Sequence, residues 1–503
     1  MSDGKRNGGT RPPDAFQDAP IGKTRPEAAF HPRQPALLEA WDRTVRLHGD
    51  DRAVVQAGNG AAVTFRELDA RAEAWRATHA ENWSRGDPAV VAGCSAAGSP
   101  RLQQKAYLTG RAVVFAAPNG IGWLEIFLGL LKAGAVVVPL DAAEPAAAQR
   151  QLATTLRAAG WWNGTQLVAL PRARRYRDPA VCLIKVTSGT TGTPRALVFT
   201  GGQLLADGRQ VTATMGLGRR DLNYALIPLG HSYGLGNLTV PLLAQGVPLV
   251  CGTTLLPHGI AADFARWRPT VFPGVPAMWR ALAVSDVMLP TLRLGISAGA
   301  PLPPEVARDF AARFGRRLHN FYGSSETGGI AYDPTGAATL TGGVGRAMRG
   351  VTLTALSGAR LQVGSAAVLT HGNRRRTGGL GAWIMPDRVA LDARGGVILQ
   401  GRRGATVKIA GRRVNLIEVA DRLRRLPGVR DAWIGVSSGA DPVLGAVIAT
   451  GRTATELRTL LHADTAAWKI PKKLVVVAAL PVTARGKVDT RALRAMTFPS
   501  TKS

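Results

Sequence analysis

The sequence predicts an α/β protein with a large, helix-covered sheet domain, and three observations carry that class. Apolar, β-branched runs alternate with segments of helical spacing along most of the 503 residues, the pattern of strand–helix–strand units that pack helices over a largely parallel sheet. Polar, glycine-bearing loops follow several of those runs, and ligands of such sheets sit beyond the carboxyl ends of the strands. A chain of this length also exceeds one hydrophobic core and divides into at least two domains.

The elements follow in order. The lead "MSDGKRNGGTRPPDAFQDAP" has no apolar core, so it is no signal peptide, and residues 1–35 read as a disordered lead. "RAVVFAA" (111–117) predicts a strand. The longest apolar stretch, "IGWLEIFLGLLKAGAVVVPL" (121–140), contains Glu125, Lys132 and glycines and makes a poor membrane span. It reads instead as a buried helix from Trp123 to Lys132, a turn at Gly134 and a strand from Ala135 to Leu140. "AAAQRQLATTLRAAG" (146–160) is helical again, and "VCLI" (181–184) is a strand. "LNYALIPL" and "VPLVCG" flank the helix-like "GLGNLTVPLLAQG" (234–246), and residues 262–326 repeat the alternation. The loops "TSGTTG", "GHSYG", "SAGAPL" and "YGSSETGG" all fall at strand ends, which places them in one composite site.

Composition bounds the partners. Sixty-three Lys+Arg against 34 Asp+Glu give +29 and a pI near 11.3, a field that attracts polyanions such as nucleic acid, anionic lipid, a phosphorylated cofactor or an acidic protein. The cations are spread along the chain, as on a solvated basic surface, and no nucleic-acid-binding module is recognised, so no specific nucleic acid is expected. Peripheral contact with anionic lipid is compatible with the charge. Cys94, Cys182 and Cys251 lie far apart with no CxxC spacing, which argues against a disulfide framework or zinc site and fits a reducing, cytoplasmic setting.

The loop "VTSGTTGTPRA" (186–196) carries the strongest chemical signal. It is no Walker A motif, because Gly189 and Gly192 are three apart and Pro194 follows at once. Its residues still suit phosphate. Backbone N–H groups at the glycines can form an anion nest, and Thr187, Ser188, Thr190 and Thr191 can donate hydroxyl hydrogen bonds. Arg195 adds a permanent charge on a planar fork.

With its companions, this loop resembles the signature of the adenylate-forming enzymes, which include acyl-CoA synthetases, nonribosomal peptide adenylation domains and firefly-type luciferases. "LKAGAVVVPLD" (131–141), "PLGHSYGLGN" (228–237), "SAGAPLPPEV" (297–306), "YGSSETGG" (322–329), "PDRVALDARGGVILQGRRGATVKIAGRRVNLIEV" (386–419) and "LPVTARGKVDTRAL" (480–493) follow in the family's order. The likeness runs from about residue 36 to the end. It implies a large domain over 36–401 and a small, mobile α+β domain over 402–503, hinged near Gly404. It also implies the activity: joining a carboxylate to AMP from ATP with Mg²⁺, releasing pyrophosphate, then passing the acyl group to the thiol of coenzyme A.

The resemblance assigns roles position by position. The 187–195 loop would wrap the β- and γ-phosphates, Glu326 would hold Mg²⁺, and Ser325 would lie near the α-phosphate. Tyr322 would stack on adenine beside Ala298 and Gly299, Asp387 would bind the ribose hydroxyls, and Arg402 would support ribose and phosphates. Lys487 would serve adenylate formation. Lys408, on the opposite face of the small domain, would serve the thioester step, where Gly411 lets the pantetheine arm pass close to the backbone. His231 would stand near the substrate carboxylate, in a pocket lined by Tyr233, Gly234, Asn237, Gly274, Val275, Asn320, Phe321 and Gly329. Because imidazole is a poor counter-ion for an ammonium group, His231 favours a simple carboxylic acid over an amino acid. That pocket does not distinguish an aryl acid from a fatty chain.

The chain departs from the family form in several places. Arg195 replaces a Lys, Ala196 a Gly, Gly404 the usual Asp or Lys of the hinge, "WIMPD" the usual segment before the ribose carboxylate, and Asn415–Leu416 the common Glu-Pro. The acceptor stays open between coenzyme A and the phosphopantetheine of an acidic acyl carrier protein, since a basic surface steers both. A nucleic-acid-binding protein, suggested by charge alone, is the remote alternative.

Overall fold

Two large sheets carry most of the chain. The structure, a computed structural model, describes residues 35–81, 107–187, 195–370, 376–377, 380–402, 406–409, 412–437, 442–465, 469–483 and 488–499. The predicted lead therefore lies almost wholly outside the described residues.

The first sheet has six strands in the order Leu167–Ala169, Gly160–Trp162, Ala112–Ala116, Val136–Leu140, Val181–Thr187, Arg195–Thr200. Its four inner strands run parallel, and each edge strand is antiparallel to its neighbour. Val136–Leu140 is buried along its whole length, as expected of a strand covered on both faces. The apolar stretch before it forms the helix Ile121–Lys132, and Gly134 makes the turn at φ +75°, a left-handed conformation that glycine adopts without steric cost. Two ion pairs accommodate the stretch's charges, Arg71 to Glu125 at 3.4 Å and Lys132 to Asp69 at 2.8 Å. Among the described residues no helix is long and apolar enough to cross a membrane.

The second sheet has nine strands in the order Arg346–Ala347, Gly328–Tyr332, Leu318–Ser324, Leu294–Ser297, Val271–Gly274, Asn223–Ala225, Leu249–Cys251, Arg52–Gln56, Ala62–Thr64. Its centre is parallel and its two ends are antiparallel, so the expected alternation runs through the parallel strand Leu318–Ser324 and ends there. Leu318–Ser324 turns straight back into Gly328–Tyr332, since three intervening residues are too few for a parallel crossover, and Gly328 reverses the chain at φ +69°.

The helix-like segment 234–246 also differs in detail. A wide turn spans Leu235–Thr239, and regular helix resumes over Val240–Gln245. Pro241 has no N–H to return to the carbonyl of Asn237, and that carbonyl accepts instead from the side-chain amide of Asn223 at 3.2 Å.

Beyond residue 350 the strands Thr352–Leu356, Arg360–Ser365, Arg376–Thr377, Leu380–Leu391 and Val397–Arg402 form a small antiparallel sheet. Three later strands, Val429–Val436, Leu444–Thr450 and Lys473–Val477, make a sheet of their own. Helices Leu416–Arg424 and Ala454–Asp464 contribute with it to a separate apolar core that includes Val419, Leu423, Ile434, Ile448, Leu457 and Leu461.

Candidate active site

Strand ends of both large sheets open into one cavity of about 2140 Å³. Three of the predicted loops meet there. Ser232 Oγ, in the "HSYG" turn, donates to Ser325 Oγ at 2.9 Å, tying that turn to the "YGSSE" segment. The Tyr233 hydroxyl donates to the carbonyl of Ile296 at 3.1 Å and to that of Gly274 at 3.3 Å. Gly274 itself does not line the cavity; it packs behind the wall, where a Cβ would stand 2.9 Å from the Trp279 indole. Val275, Ala298, Gly299, Asn320, Phe321, Gly234, Asn237 and Gly329 all line it.

Part of the lining brings together the positions that the resemblance assigns to a nucleotide. The Tyr322 hydroxyl donates to Asp387 Oδ2 at 2.6 Å, joining two positions 65 residues apart. Asp387 comes from the long strand Leu380–Leu391 and pairs in register with Arg402 on the next strand. At the mouth of the glycine-rich loop, Thr187 and Arg195 face each other across the last rung of their hairpin, and Arg195 Nη1 lies 3.9 Å from Glu326 Oε1. Among the described residues no cluster of three or more metal-ligating side chains occurs. A carboxylate placed like Glu326 would fit Mg²⁺, which keeps several waters and takes other ligands from phosphate oxygens.

Ser188, Gly189, Thr190, Thr191, Gly192, Gly404, Gly411 and Lys487 lie outside the described residues. Lys408 sits on the short strand Thr406–Ile409, paired with Arg413. The side chains of Lys408 and Arg402 lie outside the described residues as well.

Several contributors escaped the sequence reading. His231 Nε2 lies 3.9 Å from Asp141 Oδ2, an ion-pair distance when the imidazole is protonated. Asp141 closes the "VVVPLD" run, whose final acid was a readable signal. Asn119 clamps the approach to His231: its amide donates to the carbonyl of Ile227 at 2.8 Å and accepts from the N–H of Leu229 at 3.0 Å. Lys185 and Asp207 line the cavity and are almost fully buried. Burial pushes the Lys185 ammonium below its ordinary pKa, against the pull of Asp207 and Glu326. Burial likewise raises the Asp207 carboxyl, opposed by Lys185 and by the backbone N–H of Gly329. A lysine inside the otherwise apolar strand "VCLIKVT" was the available signal.

Comparison with known proteins matches this geometry. The family model described as AMP-binding enzyme matches residues 151–363, the segment that supplies most of the cavity wall. The chain belongs to the adenylate-forming superfamily. Over 429 residues the chain is 30% identical to a probable non-canonical nonribosomal peptide synthetase, CymA, of Salinispora arenicola (strain CNS-205), covering 76% of the chain and 5% of that protein. It is 29% identical over 357 residues to a 2-hydroxy-7-methoxy-5-methyl-1-naphthoate–CoA ligase of Streptomyces carzinostaticus, covering 63% of each. It thus spans less than two thirds of either of these relatives. The ATP-bound crystal structure of MatB from Rhodopseudomonas palustris superposes with a TM-score of 0.72 at 22% identity, over 91% of this chain and 98% of that one. That likeness establishes the shared α/β fold.

Proposed function

We propose that the chain activates a carboxylic acid with ATP, releasing pyrophosphate, and then transfers the acyl group from AMP to the thiol of coenzyme A. One observation carries this reading: a single cavity is lined both by Thr187, Arg195, Glu326, Tyr322 and Asp387 and by His231, Tyr233, Phe321 and Gly329. In the first step a carboxylate oxygen attacks the α-phosphorus and pyrophosphate leaves. In the second the thiol, losing its proton, attacks the acyl carbon and AMP leaves. Charge builds at a crowded phosphorus in the first step, so positioned cations supply most of the catalysis.

On this reading Arg195 and the loop before it hold the departing pyrophosphate, Glu326 holds Mg²⁺, and Asp387 binds the ribose hydroxyls. Tyr322 fixes the Asp387 carboxylate, and His231, backed by Asp141, faces the acid. Lys487 and Lys408 act in turn as a small domain rotates about Gly404, a hinge without a side-chain latch. The CoA-ligase relative supports coenzyme A as acceptor. The peptide-synthetase relative favours a second acceptor, the phosphopantetheine of a carrier protein, for the same first step. A cytoplasmic setting, where both acceptors occur, completes the proposal.

ATP–pyrophosphate exchange over a panel of carboxylic acids, followed by addition of coenzyme A or holo carrier protein, tests it. Exchange with at least one acid and thioester on adding coenzyme A are expected. No exchange with any acid sinks the reading, and thioester on the carrier alone selects the second acceptor.

A further inference from the structure

Lys185 and Asp207 have no part in the reaction just described, yet both line its cavity while being 4% and 5% exposed. Asp207 stands on the helix Gly201–Met215 and accepts from the Gly329 N–H at 2.9 Å. Its carboxylate fills space that side chains at two glycines would need. A Cβ at Gly236 would come within 2.8 Å of Asp207 Oδ2, and one at Gly328 would collide with Oδ1. Lys185 Nζ lies 4.3 Å over the Phe199 ring centroid. Among the described residues no hydrogen bond, and no carboxylate within 4 Å, meets that ammonium, so three strong donors line the cavity unmatched.

Aromatic side chains also line the cavity: the Tyr233 and Phe321 rings lie 5.7 Å apart at 31°. Gly329 lets the Phe321 ring and Met348 pack against the backbone, since a Cβ there would stand 2.9 Å from the Phe321 ring and 2.6 Å from Met348 Sδ.

The chemistry of the pair selects its ligand. An alkyl tail leaves both charges unmatched. A second carboxylate suits Lys185 but is repelled by Asp207, and an ammonium group does the reverse. A hydroxyl accepts from the lysine and donates to the carboxylate, satisfying both at once. We propose that Lys185 and Asp207 bind a hydroxyl group of the acid and so select hydroxylated aromatic acids. The proposal rests on the acid-activating reading above and deepens it.

The test is ATP–pyrophosphate exchange by the full chain with benzoate and its three monohydroxy derivatives, and with cinnamate and its hydroxy derivatives. Terephthalate and 4-aminobenzoate serve as charged controls. The best hydroxylated acid should exceed its unsubstituted parent by about 100-fold or more in kcat/KM, as sites built to hydrogen-bond a substrate hydroxyl do. Lys185→Met should shrink that ratio by at least about 10-fold, the worth of one charge-assisted hydrogen bond, with KM for ATP unmoved. The double variant Lys185→Met/Asp207→Asn leaves no lone buried charge and gives the same readout if the single variant folds poorly. A wild-type ratio near one, a charged control preferred over every hydroxy acid, or a ratio unmoved in both variants overturns the inference. So does a raised Mg²⁺ requirement with the ratio intact, because Lys185 would then act through Glu326. Exchange with unsubstituted acids at an equal rate overturns this inference alone, whereas no exchange with any acid removes the acid-activating reading with it.

Discussion

The contact between Tyr322 and Asp387 allows a quantitative prediction. At 2.6 Å it falls in the range of a hydroxyl bound to an ionised carboxylate, and such bonds contribute about 1.5–3 kcal/mol. The phenol is proposed to aim the carboxylate at the ribose. Asp387 also holds interactions besides this one, so the lower end of the range applies, and Tyr322→Phe should cost about 1.5 kcal/mol, or roughly tenfold in kcat/KM for ATP. On the proposed role, Asp387→Asn would turn two charge-assisted ribose bonds into neutral ones at about 1 kcal/mol each, about 30-fold in all. If the tyrosine acts through the aspartate, the double variant should lose little more than Asp387→Asn alone. If they act separately, the losses should multiply to about 300-fold. Pyrophosphate exchange with ATP varied at saturating acid measures this, and circular dichroism checks that each variant folds. Multiplied losses, or losses in the KM of the acid rather than of ATP, would refute the reasoning.

Three further outcomes are expected. Lys487→Ala should abolish adenylate formation yet leave thioester formation from preformed acyl-adenylate largely intact; equal loss of both contradicts domain alternation. Cys182 and Cys251 are buried, and burial pushes both thiols up to about 12, so only about 10⁻⁴ of either is thiolate at pH 8. Mass spectrometry after iodoacetamide treatment should find both unmodified until the chain is unfolded. Burial also lowers the pKa of His319, whose Nδ1 lies 2.8 Å from the Asp333 carbonyl. The unfolded chain therefore binds the proton more readily, and the stability from neutral His319 is present above pH 6.5 and falls away as pH drops toward the folded value. Thermal melts from pH 7.5 to 5.5 should show that decline, and His319→Gln should flatten it.

Local pattern foretold what local physics decides. The helix Ile121–Lys132, the turn at Gly134 and the buried strand after it were legible because length, periodicity and a single glycine specify them together. Asp387 was legible only through the residues downstream of it, since "WIMPD" carries no signal of its own. The hairpin from Leu318 to Tyr332 was not foreseen, because a strand's apolar pattern does not encode the direction of its neighbour. Pairings such as Tyr322 with Asp387 or Lys185 with Asp207 depend on how the sheets bring distant positions together, which spacing along the chain does not reveal. Lys185 stood in plain view inside an apolar strand, but its significance came only with the cavity beside it.

The carboxylate nested between two glycines also sets the order in which this pocket can change over evolutionary time. A Cβ at position 236 would come within 2.8 Å of Asp207 Oδ2, so bulk there requires that carboxylate to shift or to be lost. Losing the acid first strands Lys185 and forfeits the bond to Gly329. Steps at 207 or 236 taken first are therefore costly, and lineages with this arrangement should change Lys185 before or together with them. For an engineer, the quickest route to a new acid runs through a simultaneous exchange at 185, 207 and 236, with Gly328 left alone to make its turn.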